Sequence, residues 1–436
     1  MKYYSTKNKY NFVDFRTAVL KGIADDGGLF MPEDIPELSR STIETITSFS
    51  LQEIGMEVLS KFAGNIEQSA LRKIIETAIN FNAPVKILSE KLSILELFHG
   101  PTLAFKDFGA RFLANALAYF NKDEDKKLII LVATSGDTGS AVANSFYGKE
   151  GIKVGLLYPS GMVSQIQEKQ LTTMGKNIKA FEIAGTFDDC QRLVKTAFLD
   201  TDIKSKFNLS SANSINIARL LPQSLYYFYA YGRINKNLGI RDVIFTVPSG
   251  NFGNLTAGLI AGEMGLPVHR FIAAVNSNTV FAEYLQDGKY NPRPAKKTLS
   301  NAMDVGDPSN FVRIEALFGK DLNRIRNRIY SESANDHETV STIQSVYKEY
   351  NYIIDPHGAV GFCADSKYRE LNKGVSHSIV LETAHPAKFA DCVEPALNMK
   401  IEMPDRLAAC LEKQKDAQQI SSDFDTFKDS LIETMK

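Results

Sequence analysis

A run of apolar residues that ends in a turn of small polar residues, with an amphipathic segment behind it, occurs twice in this chain and leaves few folds open. Residues 127–133 run into Thr134-Ser135-Gly136-Asp137-Thr138-Gly139-Ser140, and residues 243–247 run into Pro248-Ser249-Gly250-Asn251-Phe252-Gly253-Asn254. Further apolar runs at 153–158, 178–183 and 271–275 predict strands, and segments 141–147, 164–173 and 187–198 predict helices between them. Alternation of this kind predicts an α/β fold, with parallel sheets covered by helices on both faces. Two rounds of it predict two lobes, and a ligand in the cleft between them.

The two turns predict anion seats. Glycine lets the backbone approach an anion closely, and the first N–H groups of the following helix supply donors and a favourable dipole. Neither turn ends in Gly-Lys-Ser/Thr and neither has GxGxxG spacing, so the common nucleotide readings weaken. Taken singly, each fits a purely structural turn equally well.

Between the N-terminus and the first turn lies His99-Gly100-Pro101-Thr102-Leu103-Ala104-Phe105-Lys106-Asp107-Phe108-Gly109. Phe105 and Phe108 beside Lys106 predict a site with little water, which disfavours the ammonium and lowers the lysine's pKa. A free amine adds to carbonyl compounds. A lysine at a helix start with its stem packed and its head in solvent is the plainer reading of this residue alone. Joined to two anion seats, Lys106 points to an aldehyde cofactor that carries a phosphate, pyridoxal 5'-phosphate.

Composition narrows the partners. The formal net charge over 436 residues is -1, with no Lys/Arg-rich tract, so a small molecule is expected rather than nucleic acid. No stretch is apolar enough to cross a bilayer and no secretory leader is evident, which predicts a cytoplasmic protein without a membrane partner. Cys190, Cys363, Cys392 and Cys410 have no CxxC or CxxH spacing, so neither a disulfide framework nor a metal site is expected. Leu51, Ile54, Val58, Leu59 and Phe62 share one helix face, and residues 1–84 read as a small, mostly helical domain. Its paired glycines at 27 and 28 read as a structural turn. Residues 85–400 read as the catalytic core, with a smaller mobile lobe at about 125–205, and residues 401–436 as a charged helical closure.

These motifs, with Asp26-Gly27-Gly28-Leu29-Phe30, Ser211-Ala212-Asn213-Ser214-Ile215-Asn216 and Ala384-His385-Pro386-Ala387-Lys388-Phe389, stand in an order that resembles the threonine synthase family. That family lies within the tryptophan-synthase-β-like, fold type II, pyridoxal-phosphate enzymes, and the likeness is to its bacterial and fungal branch. Regulation by S-adenosylmethionine is therefore not expected. The resemblance implies conversion of O-phospho-L-homoserine and water to L-threonine and phosphate by a monomer or homodimer. It implies that Lys106 holds the cofactor and then moves protons. Gly250, Asn251, Phe252, Gly253 and Asn254 would cradle the cofactor phosphate, Asp137 would stand near its phenolic oxygen, and Thr383 would meet its ring nitrogen. Thr134, Ser135, Gly136 and Thr138 would receive the substrate carboxylate. Ser214, Asn216 and Arg219 would take the substrate phosphate, with Lys388 as a further cation.

His99, His357 and His385 fit proton transfer and structural roles equally, and the turn-rich 301–310 loop receives no chemical role. Two other functions stay open at this point: a related pyridoxal-phosphate lyase, such as a serine/threonine dehydratase or a threonine-synthase-like phospholyase acting on another phosphorylated amine, whose product is an oxo acid or aldehyde, and a silent binding protein on the same fold. An intact Lys106 and both turns weigh against the second.

Overall fold

Burial from end to end is what makes the apolar runs strands. Every residue of Leu128–Ala133 and of Val243–Pro248 is buried, as expected at the centre of a sheet covered on both faces. The computed structural model describes residues 1–123, 126–134, 136–374 and 377–436. Leu128–Ala133, Ile152–Pro159 and Ile178–Ala184 lie side by side in a five-stranded parallel sheet, flanked by Asn208–Ser211 and Gln418–Ser421. A second sheet has six strands in the order Ile329–Ser333, Val268–Val275, Val243–Pro248, His377–Glu382, Leu92–Glu96 and Val85–Ser89. Only the pairing of its last two strands is antiparallel.

The N-terminal segment holds more than helices. Tyr3–Ser5 lies between Asn8–Val13 and Phe30–Pro32 in a small antiparallel sheet ahead of the predicted helix, which forms at Leu51–Leu59 with a Ser50/Glu53 capping box. The glycine turn is structural here: Asp26 Oδ1 accepts Ser5 Oγ at 2.7 Å and Gly28 N at 2.8 Å. A Cβ at Gly28 would come within 2.0 Å of Ser5 Oγ, so that backbone approach excludes larger residues.

The C-terminal segment also departs from the expectation of a helical cover. Gln418–Ser421 pairs in parallel with Ile178–Ala184, and Phe424–Met435 follows as a helix. Phe427, Leu431 and Met435 are fully buried in the core of the smaller lobe, where the Phe427 ring meets Phe181 edge-on at 5.7 Å. The smaller lobe is therefore completed by chain from far outside 125–205. Edge strands with polar residues carry little periodic signal, which is why this one escapes a reading by pattern.

Removing a buried Phe side chain forfeits its transfer free energy and leaves a cavity. Phe427→Ala is expected to destabilise the smaller lobe by about 3–5 kcal/mol, read as an earlier first transition in denaturant unfolding; an unchanged profile would place the C-terminal helix outside that lobe's cooperative unit.

Candidate active site

Lys106 opens the helix Lys106–Phe120, and the loop before it is fastened to that same helix. Asp107 accepts Thr102 N and Thr102 Oγ1, each at 2.8 Å, and a Cβ on Gly100 would strike Asp107 Oδ2 at 2.4 Å. The loop can fold back this tightly only because residue 100 is glycine. Phe105 N donates to the Thr383 carbonyl at 2.9 Å, so the residue expected at the cofactor's ring nitrogen is anchored one residue from the lysine.

The lysine amine lies in a field of buried charge. Its side chain keeps 14% exposure, and Nζ is 4.0 Å from Asp137 Oδ2 and 5.9 Å from the Phe105 ring centre. Asp137 Oδ1 is 2.7 Å from Lys388 Nζ, which is wholly buried and also donates to the Thr102 carbonyl at 2.9 Å. Gln167 Nε2 donates to the same carboxylate oxygen at 3.1 Å. Burial lowers the Lys106 amine to about 8: the pull of Asp137 opposes this, while Lys388 and Arg219 reinforce it. Burial raises the Asp137 carboxyl, but Lys388 and Lys106 outweigh it and hold the group well below the usual carboxylate range. Asp137 is thus an anion, shared by two amines.

Of the two rings expected to exclude water, Phe105 lies beside the amine and Phe108 does other work. Phe108 is buried edge-on against Phe81 at 4.7 Å and Tyr226 at 5.2 Å. Tyr226 and Tyr227 hydroxyls then donate to Asn254 Oδ1 at 2.6 and 2.7 Å. This links the lysine helix to the second turn.

That turn has the donors an anion needs. Phe252 adopts a left-handed φ of 58°, which costs a non-glycine residue roughly 1–2 kcal/mol, and the helix Gly253–Glu263 starts directly behind it. Asn310 N and Nδ2 donate to the Asn251 carbonyl at 3.3 and 2.9 Å, and Ser309 N donates to Asn251 Oδ1 at 3.2 Å. With both tyrosines on its oxygen, Asn254 keeps a buried Nδ2 that has no partner among the described residues. A Cβ on Gly250 would press against Ala302 O and Met303 Cα at 2.9 Å each. Backbone N–H groups at a helix start, an orphaned amide donor and a recessed amine fit a phosphate-bearing aldehyde.

The expected substrate contacts divide. Thr134 Oγ1 accepts Gly136 N at 3.0 Å and Gly139 N at 2.9 Å, so this hydroxyl fastens its own turn. Gly136 has φ 140°, Thr138 is half-buried on the first helical turn, and Ser135 lies outside the described residues. Asn216 caps its helix through Ala218 N and spends its amide donors on the carbonyls of Val19 and Ser211, which leaves it no donor for a ligand. Ser214 Oγ accepts Asn310 Nδ2 at 3.4 Å, and its Cβ is 3.5 Å from the place a Cβ would take at Gly253. It therefore stands beside the second turn.

Arg219 is buried, donates through Nη1 to the Ala212 carbonyl at 2.5 Å, and has an Nε without a partner among the described residues. Desolvation lowers it to about 10, against the opposing pull of Asp107, and it remains a cation. Gly109 brings the lysine helix against it, since a Cβ there would be 2.4 Å from the Arg219 carbonyl oxygen.

Pattern reading missed Gln167, Asn310 and Arg313, whose partners are far away in sequence. His385 Nδ1 accepts Ala387 N at 3.2 Å as a cap, and burial lowers the ring to about 4, which gives it a structural part. His99 Nε2 meets Glu96 Oε2 at 2.7 Å.

Family models match three stretches of the chain: "Threonine synthase N terminus" at residues 2–79, "Pyridoxal-phosphate dependent enzyme" at 80–381, and "Threonine synthase, C-terminal" at 358–431. The site and the central match together define a pyridoxal-phosphate dependent enzyme. The threonine synthase of Buchnera aphidicola from Acyrthosiphon pisum is 42% identical over 99% of this chain and 100% of its own. Crystal structures of threonine synthase from Escherichia coli, at 42% identity, and of the pyridoxal-phosphate-bound enzyme from Brucella melitensis, at 34%, each superpose with a TM-score of 0.93 over 100% of both chains. This chain belongs to the threonine synthase family.

Only the neutral amine adds to an aldehyde. Reaction of cofactor-free protein with pyridoxal phosphate should therefore accelerate as pH rises through about 8 and then level off. In Asp137→Asn the charge that favours the ammonium is gone and the midpoint should fall; a midpoint that rises would contradict this electrostatic account.

Proposed function

We propose that the chain converts O-phospho-L-homoserine and water to L-threonine and phosphate, with Lys106 holding pyridoxal phosphate and then moving the protons. The observation that carries this reading is a recessed Lys106 amine that feels the buried Arg219, together with two donors that have no partner among the described residues, Arg219 Nε and the Asn254 amide of the 250–254 turn. The cofactor, when bound, supplies the electron sink that makes protons next to the substrate's amine-bearing carbon acidic.

The residues of the chain do the rest. Gly250, Asn251, Phe252, Gly253 and Asn254 hold the cofactor phosphate through helix-start N–H groups and the Asn254 amide. Thr383 offers a neutral hydroxyl to the ring nitrogen, which leaves that nitrogen less firmly protonated than a carboxylate would and moderates the sink. Asp137, kept anionic by two amines, faces the phenolic oxygen. Gly136, Thr138 and Ser135 receive the substrate carboxylate, while Thr134 shapes their turn.

Arg219 takes the substrate phosphate through its fork, aided by Ser214. Lys388 is already engaged with Asp137 and Thr102, so it acts on the phosphate only through space. Lys106, whose amine burial lowers to about 8, takes protons from Cα and Cβ and returns protons to Cγ and Cα. Phosphate leaves from Cγ, the oxygen and one hydrogen of water become the hydroxyl on Cβ, and water's other proton leaves on the phosphate, so the product keeps all four carbons.

The test is phosphate and threonine measured in one sample, with Lys106→Ala as control. Equal amounts of both, absent from the control, are expected. Phosphate with an oxo acid in place of threonine would assign a lyase instead. Arg219→Met should lower kcat/KM by about a hundredfold, the scale of removing a buried charged partner from an anion; an unchanged value would remove Arg219 from the phosphate seat.

A further inference from the structure

Behind Thr383 lies a group of buried acids that the reaction does not use. Glu382 ends the strand His377–Glu382 and is paired across the sheet with Glu96. Glu96 is neutralised from outside, with Lys86 Nζ and His99 Nε2 each 2.7 Å away. Among the described residues no cation reaches Glu382: its Oε1 accepts Asp355 N at 2.7 Å and its Oε2 is buried without a partner. Oε2 fits only because residue 358 is glycine, where a Cβ would be 1.6 Å away. Burial, with Asp355 beside it, pushes the Glu382 carboxyl far above the ordinary carboxylate range.

Asp355 reaches both walls of the cofactor cleft. Its Oδ2 accepts Ala384 N at 3.3 Å, next to Thr383, whose carbonyl holds Phe105 N and with it the start of the lysine helix. Its Oδ1 takes His357 N at 2.7 Å and His357 Nδ1. His357 Nε2 accepts Ala302 N at 3.2 Å, so the ring's single proton is on Nδ1 and points at Asp355. Ala302 and Met303 are the backbone against which Gly250 is pressed. One carboxylate thus joins the Thr383 wall to the Gly250 wall.

We propose that Asp355 is a positioning residue for the cofactor, fixing through Ala384 and through His357–Ala302 the separation of the Thr383 and Gly250 walls that hold its two ends. The inference rests on the cofactor placement proposed above. A carboxylate has the acceptors to hold both links at once, whereas an amide surrenders one of them.

Three readouts test it: the dissociation constant of pyridoxal phosphate, the visible circular dichroism per bound cofactor, and kcat against KM. Asp355→Asn should raise that constant about tenfold, as expected for a lost hydrogen bond to a buried charge. It should also change the dichroism and lower kcat more than it raises KM. Glu382→Gln keeps an oxygen to accept Asp355 N and should stay within about twofold on all three.

A merely structural acid would lower the melting temperature of the cofactor-free protein in Asp355→Asn and leave dichroism and cofactor affinity as they were, which would overturn the proposal. Damage by Glu382→Gln equal to that of Asp355→Asn would overturn it too, by placing the charge on Glu382. If Asp355→Asn does not fold, His357→Gln cuts only the Ala302 link and should raise the cofactor's dissociation constant in the same way; wild-type affinity there also overturns the proposal. Lys106→Ala must lose the visible band. A surviving band overturns the cofactor placement and this inference together, whereas its loss beside an unaltered Asp355→Asn overturns this inference alone.

Discussion

One buried and one recessed amine share one buried carboxylate in the candidate site. Asp137 lies 2.7 Å from Lys388 and 4.0 Å from Lys106. Had Asp137 only Lys106 to face, the pair would be mutually neutral and the amine would keep its proton. Lys388 takes the nearer place, so the carboxylate is engaged first by Lys388, and Lys106 is left with a partial partner, a desolvated pocket and a second cation in Arg219. The result is an amine with a pKa of about 8, close to where a group must lie if it is to take and return protons near neutrality.

That balance survives only if the charged groups cannot move, and the fold supplies rigidity through carbonyls rather than through ion pairs. Arg313 has no exposed surface and spends its fork on Phe30 O, Ile215 O and Asn310 Oδ1, at 2.7–3.1 Å, and on Ser214 O at 3.3 Å. It ties the N-terminal sheet to the loop beside the second turn, and Asn310 carries the tie onward to Asn251. A buried cation held only by carbonyls leaves its charge uncompensated, which favours anions nearby. The N-terminal domain therefore belongs to the architecture of the site.

The sheets were legible in the chain where burial on both faces forces a continuous apolar run, as at Leu128–Ala133 and Val243–Pro248. Lys106 and the two turns stand out in the chain because their chemistry and their local neighbours lie together in sequence, whereas Thr383 enters only through the likeness to the family. What escaped depended on distance. Gln418–Ser421 is a polar edge strand defined by its neighbour, not by its own pattern. Arg313 reads locally as an ordinary helix arginine, and only carbonyls about a hundred and nearly three hundred residues away show what it does. Asn216 misleads for the opposite reason: an Asn at a motif's end suits a ligand and a helix cap equally, and its partners, Val19 and Ser211, decide for the cap.

The central claim is that desolvation and the unequal sharing of Asp137 select Lys106, and not Lys388, as the amine that carries the cofactor. Reduction of the cofactor-loaded protein with borohydride fixes the cofactor to whichever lysine holds it, and peptide mass mapping then names that residue. The account predicts a single modified peptide containing Lys106. Modification at Lys388, which is wholly buried and paired with Asp137, or at any other lysine, would contradict it.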